Sequence, residues 1–190
     1  ENSLDAGART LVIALRKGGR EGIRITDDGA GMDRRDAALC LQRHATSKIR
    51  TQQDLERVGT LGFRGEAIPS IAAVSRFRIR TRPAASEVGT EVEVEGGRLV
   101  DVRDAGGAAG TEIDVRDLFF NIPARAKFLR SASTELQHAI EAVNRELMIR
   151  PRVDVTVHHD GRMLVRAPAV EGLAARARDL LGAEARGWIE

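Results

Sequence analysis

Asp27 heads the stretch DDGAGM (27–32), where an alternating run of apolar residues ends. A carboxylate held at such a place can accept hydrogen bonds from an exocyclic amine. Gly29 and Gly31 allow the backbone to turn tightly and approach a ligand, although the same pattern also serves an ordinary turn. Further on, RHATSKI (43–49) sets Thr46, Ser47 and Lys48 in a row. Two hydroxyls and an ammonium suit phosphate oxygens, or simply a solvated loop. No G-x-x-x-x-G precedes the lysine, so this is not a Walker A loop. TLGFRGEAI (60–68) places Gly62 and Gly65 around Phe63 and Arg64, just ahead of a helical stretch. Glycine-rich backbone at a helix start offers free N–H groups and a positive dipole end to an anion. Arg64 itself has two readings, a phosphate contact or an ion pair with Glu66 or another carboxylate. ENSLDAGA (1–8) reads as the end of a helix stopped at Ala6–Gly7.

These residues need elements to position them. TLVIALRKGGREGIRITDDGAGM (10–32) predicts two strands around a Gly-Gly turn, with Ile23 and Ile25 alternating with Arg24 and Thr26. Asp33 can cap a helix over 34–43, with Ala37, Ala38, Cys40 and Leu41 on its apolar side. Residues 44–63 are polar and loop-like, with a short helical piece near 52–58. A helix is expected from Arg64 to Val74, with Pro69 either kinking it or lying near its first turn. The period then changes to two: RFRIRTR (76–82) and TEVEVE (90–95) predict strands with one wet face, and RLVDVRD (98–104) and TEIDVRDLFF (111–120) continue the sheet. A helix is expected over 133–150, with Leu136, Ile140, Val143 and Leu147 on one face. RVDVTVHHDGRMLVRA (152–167) predicts a hairpin, and LAARARDLLG (173–182) a last helix closed by Gly182. Helices among mostly antiparallel hairpins give an α+β class, a mixed sheet with helices on one face.

The 190 residues suffice for one full domain with a real core. The apolar runs, such as LVIAL (11–15), are too short to span a bilayer, and no charged-then-apolar leader precedes the first motif. Cys40 is the sole cysteine, which excludes an internal disulfide, and its apolar surroundings predict a buried structural thiol. The four histidines lack metal spacing, and His158-His159-Asp160-Gly161 looks like a hairpin turn. Thirty basic and 28 acidic residues leave a formal charge of +2, so a global polyanion-binding surface is not implied. Local basic patches are a separate matter. In LFFNIPARAKFLR (118–130), Pro123 suits the first turn of a short helix, and Arg125, Lys127 and Arg130 give it a basic side. That side is either a solvated face over a core of Phe119, Phe120, Phe128 and Leu129, or a contact with the DNA phosphate backbone.

Taken in order, the Asp-x-Gly-x-Gly, Thr-Ser-Lys and Gly-rich stretches, with Gly110-Thr111 on a late strand, resemble the GHKL ATPase superfamily. ENSLDAGA, RHATSKI, LGFRGEA and LFFNIPARAKFL look, more narrowly, like the MutL family of DNA mismatch-repair ATPases, over essentially the whole chain. The resemblance implies a two-layer sandwich that binds ATP and Mg²⁺. It assigns Asn2 to the Mg²⁺, Asp27 to adenine, Gly29 and Gly31 to the pocket floor, and Met32 to the base. Thr46, Ser47 and Lys48 match the start of an ATP lid, Gly62, Phe63, Arg64 and Gly65 its end, and Thr111 a pocket threonine near Asp27. The family's general base is a Glu four residues before the Mg²⁺-binding Asn. That position lies outside this sequence, and Glu1, adjacent to Asn2, points elsewhere around the helix, so no catalytic residue is assigned. Residues 1–170 would form the ATPase lobe, and 171–190 a connecting helix leading toward a second lobe. The resemblance further implies ATP-driven homodimerisation, DNA, a MutS-like mismatch sensor and an endonuclease as partners, no membrane, and a cytoplasmic, nucleoid-associated place in a bacterium. The alternatives are a nucleotide-gated DNA clamp without significant turnover and another GHKL protein such as a topoisomerase subunit.

Overall fold

The computed structural model describes residues 1–42 and 66–181. The strands are β1 (Thr10–Arg16), β2 (Gly22–Asp27), β3 (Arg76–Arg82), β4 (Gly89–Glu95), β5 (Arg98–Ala105), β6 (Gly110–Arg116), β7 (Asp154–His159) and β8 (Arg162–Ala167). The helices are α1 (Asn2–Asp5), α2 (Arg34–Leu39), α3 (Ala67–Ala72), α4 (Pro123–Ala126), α5 (Ala132–Met148) and α6 (Leu173–Leu181). All eight strands join one sheet in the order β5-β4-β3-β6-β2-β1-β7-β8. Only the β1–β7 pair is parallel; the other neighbours run antiparallel. This is the expected α+β architecture with a mixed, mostly antiparallel sheet.

Register turns the sequence alternation into cross-strand rows. Ile23, Val115, Phe77 and Val94 lie opposite one another across β2, β6, β3 and β4. Ile25, Ile113, Ile79 and Val92 form the next row, and Asp27, Thr111, Thr81 and Thr90 the third. Because successive side chains alternate faces, all three rows share one face. The two apolar rows pack under Ala37 of α2 and under Ile68 and Ala72 of α3. Beside them, Leu11, Leu15, Val155 and Val157 meet Leu136, Ile140, Val143 and Leu147 of α5, with Leu180 of α6 against the same cluster. Burying these side chains stabilises each by about 1.5–3 kcal/mol, and it clamps helices to this face. The third row is polar, and its position sets up the site.

The opposite face carries the charged residues of the alternation. Asp114 takes ion pairs from Arg24 (3.2 Å), Arg78 (3.1 Å) and Arg116 (2.7 Å). Glu91 is held by Arg80 and Arg103. Burial alone raises both carboxyl pKa values, but the surrounding guanidiniums outweigh it and hold both groups below the usual carboxylate range.

Several boundaries differ from expectation for local reasons. Asp33 does cap α2, accepting from the Asp36 N–H at 2.8 Å, but the helix ends at Leu39, well short of residue 43. Cys40 is its C-cap; the thiol is half-buried and donates to the Ala37 carbonyl, and desolvation, aided by the Asp36 charge, pushes its pKa up to about 11. Pro69 lies in the first turn of α3, where an N–H has no helical partner, so no kink is needed. β6 stops at Arg116 instead of reaching Phe120, because Asp117 (φ 50°) and Phe119 (φ 66°) adopt left-handed conformations that end the extended chain. The β7–β8 hairpin turns on Asp160 and Gly161, both with positive φ, as a two-residue turn of the type favoured in hairpins. The anticipated helical piece near 52–58, the loop over 44–63 and Gly182 lie outside the described residues. Among the described residues no helix is long and apolar enough to cross a membrane.

Candidate functional site

Asp27 ends β2 in the polar row and is only 8 % exposed. Its Oδ1 accepts from the Gly29 N–H (3.0 Å) and from the Thr111 N–H (3.2 Å). Two backbone donors therefore fix the carboxylate, and no hydrogen bond among the described residues engages Oδ2. A carboxylate oxygen oriented in this way can take a donor from a ligand.

The glycine loop fits this arrangement with no space to spare. Gly31 has φ +67°, and a Cβ there would meet the Arg82 carbonyl at 2.2 Å. Gly110 has φ +116°, and its Cβ would meet the Asp27 carbonyl at 2.0 Å. Met32 is pinned beside them: its N–H donates to Thr81 Oγ1 at 2.8 Å, and its side chain is half-buried against the apolar rows. Asp28 points the other way. Its Oδ1 accepts the Arg9 and Thr10 N–H groups (2.7 and 2.8 Å). Burial raises its pKa, but those bonds prevail and hold it below the usual carboxylate range.

The loop also joins the N-terminal helix. Ala30 N–H donates to the Ala6 carbonyl at 2.9 Å, and Ala6 N–H donates to the Asn2 carbonyl at 3.0 Å. α1 ends as expected at Ala6–Gly7: Gly7 N–H reaches Leu4 O and Ala8 N–H reaches Ser3 O, a paired closure that satisfies the last carbonyls. Asn2, one turn above the loop, is exposed, and its amide makes no hydrogen bond among the described residues. An uncommitted neutral amide oxygen is a hard donor that suits Mg²⁺ completed by phosphate oxygens and water. No group of three His, Cys, Asp or Glu residues among the described ones could hold a metal by itself. His158 and His159 are hairpin residues: His159 Nε2 accepts the Gly18 N–H at 3.1 Å, and Asp160 accepts the Lys17 N–H at 3.0 Å.

The structure thus brings Asp27, Gly29, Gly31, Met32 and Thr111 to one place, with α1 carrying Asn2 docked on the same loop. Thr46, Ser47, Lys48, Gly62, Phe63, Arg64 and Gly65 lie outside the described residues. Arg125, Lys127 and Arg130 are exposed on and after α4. The core imagined beneath them does not form as expected. Phe128 is 81 % exposed and Phe120 lies outward under the Arg76 guanidinium, while Phe119 is half-buried with Arg125 over its ring. Four turning residues, Leu118 to Asn121, bring these aromatics to the surface instead of continuing a strand.

Thr81 is the buried polar residue beside these groups that sequence reasoning missed. It is 1 % exposed and bonds Met32 N, Gly110 O (3.1 Å) and Thr111 Oγ1 (3.0 Å). A signal was present: Phe77, Ile79 and Thr81 share the inward phase of RFRIRTR, and a hydroxyl in the third inward position breaks the apolar run.

Residues 1–93 match the family described as histidine kinase-, DNA gyrase B- and HSP90-like ATPases. The chain is 52 % identical over 185 residues to the DNA mismatch repair protein MutL of Anaeromyxobacter dehalogenans (strain 2CP-C), covering 97 % of this chain and 30 % of that protein. It is 53 % identical to the protein of the same name from Syntrophotalea carbinolica, with the same coverage. The chain therefore spans about a third of the length of the curated relatives it matches. Among solved structures it is similar to the Aquifex aeolicus MutL ATPase domain complexed with ADP, at 32 % identity and a TM-score of 0.74, covering 95 % of this chain and 64 % of that one.

Proposed function

We propose that this chain, a partial member of the MutL family of DNA mismatch-repair proteins within the GHKL ATPases, is the lobe that binds ATP with Mg²⁺ and helps to hydrolyse it. The observation that carries this reading is the geometry of Asp27: one carboxylate oxygen is locked by Gly29 and Thr111, and the other is left for a ligand donor. In this reading Oδ2 accepts the exocyclic amine of adenine. Gly29 and Gly31 bring backbone close to the base, and Met32 lines it with apolar surface. Asn2 and the phosphate oxygens would hold Mg²⁺, which supplies neutralisation of the phosphate charge. Thr46, Ser47 and Lys48, with Gly62, Phe63, Arg64 and Gly65, are proposed as the phosphate-facing ends of a lid.

On this reading nucleotide works as a switch for lid ordering and for pairing of two copies, as well as a fuel. Residues 1–170 are the ATPase lobe and 171–190 the connection toward a second lobe. DNA, a MutS-like mismatch sensor and an endonuclease are the proposed partners, in a bacterial cytoplasm near the nucleoid. Residues 1–190 alone are expected to bind nucleotide far better than they turn it over, because the family's base is expected four residues before Asn2.

Calorimetry of a non-hydrolysable ATP analogue with Mg²⁺ tests the proposal, on this chain and on Asp27→Asn. Binding that weakens by more than about tenfold in the variant supports it, as expected for loss of a charge-assisted hydrogen bond. Equal binding by both proteins, or none by the wild type, would overturn it. Phosphate release above background that disappears in Asn2→Ala would contradict the expectation of poor turnover.

A further inference from the structure

Thr81 lies beyond Thr111 from Asp27, in the third row of the sheet. A hydroxyl has one proton to donate and two lone pairs to accept with. Around Thr81 Oγ1 the structure sets three partners. The Met32 N–H is a donor only and takes one lone pair at 2.8 Å. The Gly110 carbonyl is an acceptor only and takes the proton at 3.1 Å. Thr111 Oγ1, at 3.0 Å, could by itself act in either direction. Assigning the single proton of Thr81 to the Gly110 carbonyl leaves one lone pair, and Thr111 is then the donor in the remaining contact. Its proton is turned along the row, away from the ligand side, and its own lone pairs are what it offers there.

We infer that Thr81 is a specificity-determining positioning residue that sets the direction of the Thr111 hydroxyl, so that the pocket floor presents only acceptors to the base. This rests on the nucleotide reading above and deepens it. Asp27 Oδ2 and the Thr111 lone pairs together suit an edge that donates, such as the 6-amino group of adenine. A purine with a 6-carbonyl finds no donor from this row. Near-complete burial of Thr81 keeps water from supplying a substitute partner. Its bond to Met32 couples the same device to the glycine loop, so the base-reading row and the loop lining it share one hydroxyl.

The test compares affinities of non-hydrolysable adenosine and inosine triphosphate analogues, with Mg²⁺, for the wild type, Thr81→Val and Thr81→Ser. Valine keeps the shape and removes the hydroxyl; serine keeps the hydroxyl. In Thr81→Val the Thr111 proton is released and can turn toward a 6-carbonyl. The preference for adenosine should then fall about tenfold, the range of one hydrogen bond, with the inosine analogue holding or gaining affinity. Thr81→Ser should keep the wild-type preference. A purely structural role would weaken both analogues in proportion and leave the ratio unchanged, and that result, or an unchanged pair of affinities, overturns the inference. If Thr81→Val loses its cooperative melting transition, Thr111→Val decides: it should lower the preference similarly, and a preserved ratio overturns the inference. A wild type that binds neither analogue defeats the nucleotide reading and this inference with it. Wild-type binding that depends on Asp27 but not on Thr81 defeats the inference alone.

Discussion

Gly110 is a residue whose single missing atom holds the site together. Its φ of +116° is a conformation that side-chain-bearing residues avoid, and the carbonyl of Asp27 occupies the place of its Cβ. Gly110→Ala must move β6 away from β2 at the point where Thr111 N–H reaches Asp27. A loss of about 2 kcal/mol or more in urea denaturation is expected, together with loss of Asp27-dependent nucleotide binding. A variant that unfolds at the wild-type midpoint would show that the crowding is relieved cheaply. The residue scale also separates two aspartates that the sequence sets side by side. Asp27 lies in the row on the helix-covered face, and no hydrogen bond among the described residues engages its Oδ2; Asp28 turns to the Arg9–Thr10 backbone and is held by it. Adjacent residues of a strand end point to opposite sides, so the two carboxylates meet different surroundings.

At the scale of elements, α4 and the residues after it form a surface segment, with one aromatic standing free. The basic residues Arg125, Lys127 and Arg130 lie around exposed Phe128, whose burial contributes little. Phe128→Ala is therefore expected to change stability by no more than about 0.5 kcal/mol, the usual range for an exposed site. The double charge reversal Arg125→Glu, Arg130→Glu should weaken DNA binding and flatten its dependence on salt, because each lost phosphate contact removes released counterions. Titrations at several salt concentrations that superimpose on the wild type would remove the DNA contact from this segment. By contrast, α5 was legible in advance: a 3.6-residue apolar period needs no partner to be recognised, and Leu136, Ile140, Val143 and Leu147 all reach the core.

The whole molecule is a sheet with an apolar, helix-covered face and an ion-paired opposite face. Asp114 and Glu91 have lowered pKa values in the folded state. A carboxylate with a depressed folded pKa contributes stability that is present above its unfolded value, about 4, and is lost as pH falls through the folded value. Stability should thus be flat above about pH 5 and should decline steadily on further acidification. Asp114→Asn combined with Glu91→Gln should lower neutral-pH stability and make the acid decline shallower. Urea midpoints measured from pH 7 down to pH 3 check this, and parallel curves for variant and wild type would show that these ion pairs add nothing. High salt should reduce the wild-type advantage, since the arginines on this face are partly exposed.

Local chemistry determined much of this protein by itself. Alternation specified which side of each strand is wet, Asp33 marked a helix start that the structure caps with its side chain, and Asp160-Gly161 specified a hairpin. The Asp-x-Gly-x-Gly stretch was legible as a tight turn at a strand end, because glycine there carries that meaning within a few residues. What only the tertiary structure decided is register. Asp27, Thr111 and Thr81 lie far apart in the chain and become one row only when β2, β6 and β3 pair at a particular offset. A slip of one residue would turn all three side chains to the other face, and no local pattern encodes that offset. The same holds for Phe128 and its neighbours: two left-handed residues, Asp117 and Phe119, redirect the chain there. Backbone conformations of that kind in non-glycine residues arise from the contacts around them, and composition does not reveal them.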